Sequence, residues 1–172
     1  QMNCLINFQL PTFLFFLLLN FESSILNHIH AQNLVPNSSF ETYTTCPTTL
    51  AALGKCVSWY NPSFELPDYF NSCGSATYNV PSNLRGNQNA RTGNAYVGVA
   101  FGRPTETATY HYREYLGIKL SSPLQKCKKY YVGMYVSLAE NAHYSVNKLG
   151  INLSTDSIPK GSIGYVNLNR TP

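Results

Sequence analysis

Between residues 130 and 138 the side chains alternate: Tyr130, Val132, Met134, Val136 and Leu138 fall on one side of an extended chain, and Tyr131, Gly133, Tyr135 and Ser137 on the other. A period of two predicts a strand with one face on a core. Residues 148–154 repeat it, with Leu149, Ile151 and Leu153 inward and Lys148, Gly150, Asn152 and Ser154 outward, after a polar loop at 139–147. A third strand is predicted over 112–120, where Leu116, Ile118 and Leu120 continue one face against Arg113, Tyr115 and Lys119. Residues 94–101 make a fourth, and 57–60 a short one carrying the only tryptophan, Trp59. At the start, Leu34, Val35 and Phe40 supply strand residues punctuated by Pro36 and Asn37, which predicts an edge strand running into a turn. No amphipathic helix of useful length appears, because Gly or Pro interrupts nearly every window. Short strands split by turn signals predict an all-β sandwich or barrel.

Ahead of this lies an unbroken apolar run, FLFFLLL from Phe13 to Leu19, ended by Asn20, Glu22, Ser23 and Ser24. That is signal-peptide length and shorter than the about 20 residues a membrane helix needs. With synthesis starting at Met2 and a small residue, Ala31, at the cleavage position, 1–31 is expected to be a signal peptide and 32–172 one β domain. Cys4 precedes the apolar run and is an incidental leader thiol.

Composition supports export. Charged residues make up only 12% and aromatics 13%, with 13 tyrosines, against about 25% charged in an average soluble protein. Such a surface rests on Asn, Ser, Thr and Tyr, which suits extracellular strands and turns. The net charge of +4 is spread out apart from Lys126, Lys128 and Lys129. No basic stripe or nucleic-acid motif accompanies them, so nucleic-acid binding is not expected. Four cysteines follow the leader, Cys46, Cys56, Cys73 and Cys127, and export makes disulfides the default with three pairings open.

Several segments, in order, agree with one family: NLVPNSSFE at 33–41, CP at 46–47, WYNP at 59–62, PDYFNSC at 67–73, ARTGNAYVG at 90–98, YREYL at 112–116 and KYYVGMYVSLAENAHYSVNKLGINLS at 129–154. Together they resemble the N-terminal, galactose-binding-like jelly-roll domain of exported Bacteroidota envelope proteins. In relatives that domain precedes an OmpA-like peptidoglycan-binding module or a gliding-motility-associated sorting domain. The resemblance implies an antiparallel jelly-roll β-sandwich whose last strand or strands lie beyond Pro172, and membrane association only through a missing C-terminal module. It also favours a Cys46–Cys73 disulfide, because both fall inside family-like motifs. Cys56 with Cys127 is the weaker second pair, the alternative being that both are buried thiols. Such a bridge is worth about 3 kcal/mol in the chain-entropy account. Finally, it implies a structural calcium ion held by Asn37, Ser39 and Glu41 with backbone carbonyls; no other cofactor is expected.

Catalytic motifs are absent: there is no GxSxG elbow, HExxH helix, P-loop or dinucleotide fingerprint. His111 and His143 lack partners at zinc-ligand spacing, and Glu65, Asp68 and Glu114 are scattered carboxylates rather than a glycosidase pair. The Asp156-Ser157-Ile158 glycosylation-like triplet and the sequons at Asn37, Asn152 and Asn169 are chance matches in an Asn- and Ser-rich chain. What the residues do offer is aromatic platforms beside planar hydrogen-bonding groups, the chemistry that takes the apolar face of a sugar. Tyr60, Tyr69, Tyr110, Tyr112 and Tyr115 are the candidate platforms, with Arg91, Asn94 and Arg113 as polar partners. The competing reading packs the tyrosines in the core. The expected function is a non-catalytic, exported binding domain for a glycan or other envelope component. The alternatives are a structural or adhesive envelope domain that binds protein, and an accessory domain of an enzyme.

Overall fold

The computed structural model describes residues 32–102, 112–146, 148–156 and 158. The leader, a further stretch of alternating apolar residues from Ile163 to Leu168, and Tyr110, His111, Ser157 and Asn169 lie outside the described residues. Within them the chain is all-β, with no α-helix, and forms three small antiparallel two-stranded sheets. β1 (Trp59–Tyr60) pairs with β6 (Gly117–Ile118), β2 (Asp68–Asn71) with β5 (Ala95–Gly98), and β3 (Ser82–Asn83) with β4 (Gly86–Asn87) in a tight hairpin. A single 3-10 turn, Ala52–Lys55, precedes β1.

The core gathers on β2. All four of its residues are buried, so neither face shows alternation, which is how a strand covered on both sides reads in sequence. Tyr69, at 0% exposure, joins Ala52, Leu53, Cys56 and Ala95, with Phe40, Trp59, Val97 and Leu116 packed around them. On the opposite face Phe70 meets the ring of its cross-strand partner Tyr96 at 5.4 Å. Trp59 seats its ring 4.8 Å from Phe40 and donates its indole N–H to the Asn37 carbonyl.

Several expected elements change. The opening segment is a turn rather than an edge strand: Asn37 and Phe40 both take positive φ, and the Phe40 amide bonds the Asn37 carbonyl. The tract before it touches the chain through Leu34, whose carbonyl accepts from the Ser121 amide. The fifth and third predicted strands shrink to β1 and β6, yet these pair with each other. Residues 130–138 and 148–154 form no strand; their apolar side chains are exposed. The intended inward face is still the less exposed one at its start, with Tyr130 at 41% against Tyr131 at 97%. Alternation fixes which face is apolar, but a strand also needs a partner backbone beside it.

Candidate functional site

A cleft of about 450 Å³ opens between the 3-10 turn and the loop that leaves β1. Ala51 enters the turn in the left-handed region, at φ 60°, and its amide is held by Asp68 Oδ1 at 2.8 Å. Asp68 is buried and fixes Arg85 through its other oxygen, which accepts from Nε at 3.1 Å and Nη2 at 2.8 Å. The Leu53 amide bonds the Pro67 carbonyl, tying the turn to the far end of the loop. Inside the loop, Asn61 Oδ1 accepts from the Ser63 amide and hydroxyl, while its Nδ2 donates to the Glu65 carbonyl. An Asn followed by Pro favours such a side-chain-closed turn. With its polar groups satisfied internally and Pro62 and Pro67 buried, the loop turns Phe64 (68% exposed) and Leu66 (55% exposed) outward.

Tyr60 forms one wall. Its ring lies flat over its partner Gly117, where an added Cβ would sit 2.4 Å from the ring. Leu53, buried, closes the cleft from inside, and Gly54 borders it with open space where a side chain would project. Among the described residues, none of the lining side chains is charged. The cleft they form suits a neutral ligand with an apolar face.

Of the expected sugar-contacting residues that are described, only Tyr60 reaches this cleft. Tyr69 is a core residue: its hydroxyl donates to the Phe40 carbonyl and accepts from Asn71, and burial pushes its pKa up to about 12. Tyr112 is buried as well, donating to Glu114 Oε1 at 2.7 Å. Both side with the core reading, since each polar tip finds a partner inside. Arg113 is half-buried and donates to the Tyr112 carbonyl, and Tyr115 is half-buried. Asn94 is exposed at the β5 entrance. Arg91 lies elsewhere, its guanidinium 4.4 Å above the ring of the exposed Tyr135. Phe64 and Leu66 went unread in the sequence; the signal was two apolar residues inside a Pro- and Asn-bounded turn.

Of the expected calcium ligands, Asn37 and Glu41 are engaged with backbone groups. Asn37 Oδ1 accepts from the Thr42 amide, and its Nδ2 donates to the Thr42 and Val57 carbonyls and to Cys56 Sγ. Glu41 turns elsewhere, its Oε1 accepting from the Asn94 and Ala95 amides at 2.8 and 3.0 Å. Ser39 is half-buried in the turn between them. Asn37 and Glu41 thus brace the backbone. Among the described residues no three His, Cys, Asp or Glu are grouped to hold a metal.

Cys46 and Cys73 form a disulfide with Cα atoms 5.5 Å apart, within the normal span. The second pairing is corrected: Cys56 is a buried thiol in the core, and Cys127 lies exposed in a turn. Burial raises the Cys56 pKa to about 11, which keeps it protonated. Glu114 is the other buried carboxylate; it accepts from the Tyr112 hydroxyl and the Ala100 amide, and burial raises its pKa above the ordinary value. Comparison with known proteins adds no relative: no family model matches the chain, and no curated protein and no solved structure matches it.

Proposed function

We propose that this chain is an exported, non-catalytic glycan-binding domain of jelly-roll type that acts at the cell envelope. The observation that carries the reading is the uncharged cleft walled by Tyr60 and rimmed by Phe64. A pyranose presents an apolar C–H face, and an aromatic ring offers it a flat, low-entropy contact. The volume lies within the ordinary range for small-ligand sites. Export fits the leader and the Cys46–Cys73 bridge, since such bonds persist in oxidising compartments.

The test is titration of soluble envelope polysaccharide and peptidoglycan fragments into the full chain and into Gly54→Leu. The glycine has ordinary φ and nothing within 4 Å of an added Cβ, so a leucine on the rim is accommodated without a clash, should obstruct the cleft and should leave the melting temperature unchanged. Binding by the wild type that is lost in Gly54→Leu supports the reading. Binding equal in both proteins refutes the cleft, and no binding refutes the function.

One observation favours a second reading, a structural or adhesive domain that binds protein. Val132, Val136, Leu138, Ile151 and Leu153 are each more than half exposed, and apolar surface of this kind marks contact faces. Amide exchange decides it: strong protection of 130–138 in the isolated chain would show that the segment is already covered and remove this alternative.

A further inference from the structure

We infer that the cleft selects neutral sugars carrying a methyl-bearing substituent, an N-acetyl or a 6-deoxy group, over bare hexoses and over uronic acids. This rests on the glycan-binding reading and narrows it. The first step is electrostatic. Among the described residues none of the lining side chains is charged, so a carboxylate or sulfate entering it would lose water without gaining a counter-ion from them. The nearby cations are engaged elsewhere: Lys55 Nζ bonds the Cys46 carbonyl at 2.9 Å and Thr48 Oγ1 at 3.2 Å, and Arg85 is paired with Asp68.

The second step concerns shape. A bare hexose needs little beyond one flat ring and hydrogen-bonding groups around it. Here the ring of Tyr60 is joined by aliphatic surface on several sides: Leu53 from within, Leu66 and Pro67 along the loop, Ala51 at the turn. The polar side chains of the lining, Asn61 and Ser63, spend hydrogen bonds on each other and on the Glu65 carbonyl. Aliphatic walls with few unspent polar groups reward a buried methyl more than an additional hydroxyl. Removing one methyl from water favours the methyl-bearing sugar by roughly three- to tenfold in affinity.

The experiment titrates the full chain, by calorimetry or by chemical-shift perturbation, with four neutral or anionic probes of similar length. These are an N-acetylglucosamine tetramer, a 6-deoxyhexose oligomer, a glucose tetramer and a galacturonate tetramer. Tighter binding of the first or second than of the glucose tetramer, by threefold or more and abolished by Gly54→Leu, supports the inference, and the better of the two identifies the methyl's source. In Leu66→Ser, at a residue 55% exposed, the unfolding transition should stay unchanged and the preference for the methyl-bearing sugar over the glucose tetramer should fall below threefold. Equal affinity for the glucose tetramer, or tightest binding of galacturonate, overturns the inference and leaves the glycan-binding reading standing. Absence of binding by all four, with a normal unfolding transition, overturns both.

Discussion

Replacing Glu41 tests whether the opening motif is a brace for the β5 entrance. Its Oε1 receives the amides of Asn94 and Ala95, and an added Cβ at Gly93 (φ +68°) would lie 2.4 Å from the Glu41 carboxyl carbon. Ala95 is buried, so in Glu41→Ala its amide loses its acceptor without water to replace it, at about 2 kcal/mol. Asn94 is exposed and its amide rehydrates, which limits that loss to about 1 kcal/mol. The expected destabilisation is therefore about 3 kcal/mol. Glu41→Gln keeps a neutral acceptor and should cost about 1 kcal/mol, since charge-assisted bonds are about twice as strong as neutral ones. Gly93→Ala adds a left-handed penalty of about 1 kcal/mol to the loss of both hydrogen bonds as the carboxylate is pushed aside, giving about 4 kcal/mol in total. In a Glu41→Ala background the obstruction is gone, so Gly93→Ala should cost only the backbone penalty. Urea unfolding followed by Trp59 fluorescence measures the four corners of this cycle, with unchanged m-values required for the comparison. Simple additivity of the two substitutions would refute the contact. A melting temperature raised by millimolar calcium in the wild type and not in Glu41→Gln would refute the brace in favour of a metal ligand.

Three further outcomes are expected. Cys46→Ser/Cys73→Ser removes a cross-link over a sequence separation of 27, worth about 3.5 kcal/mol in the chain-entropy account; a loss below about 1 kcal/mol in urea unfolding would show that the denatured chain is not constrained by it. Glu114 carries a folded-state pKa raised by burial, so its contribution is fully present below the unfolded value and is lost as pH rises through the folded one. Relative to wild type, Glu114→Gln should therefore gain stability between pH 4 and pH 7 in urea unfolding series, and a constant difference across that range would contradict the burial argument. Cys56 should resist iodoacetamide at pH 8 in the native protein and react once unfolded, as read by peptide mapping; rapid native labelling would mean that its core position is wrong.

The amino-acid sequence alone determined the class of the fold. Turn residues every few positions and alternation in place of a helical period exclude helices, because a 3.6-residue stripe cannot form on such a pattern. The residues alone left three cysteine pairings open and only the family resemblance favoured Cys46–Cys73, the bridge observed, while the strand character of 94–101 and of the Trp59 segment survives in β5 and β1. Only the tertiary structure decided the rest. β2 escaped the reading because burial of Tyr69 and Phe70 on opposite faces erases the alternation that marks a half-buried strand. Tyr69 and Tyr112 looked like platforms, and became core residues once Phe40 and Glu114 were placed within reach of their hydroxyls. Glu41 reads as a metal ligand or a solvated charge until a turn some fifty positions later brings two amides to it. The cleft is likewise invisible in one dimension, since its walls come from the 3-10 turn, β1 and the loop after it. Periodicity reports which face of a segment is apolar, while partners, depth and the direction of a hydrogen bond depend on what the folded chain sets opposite it.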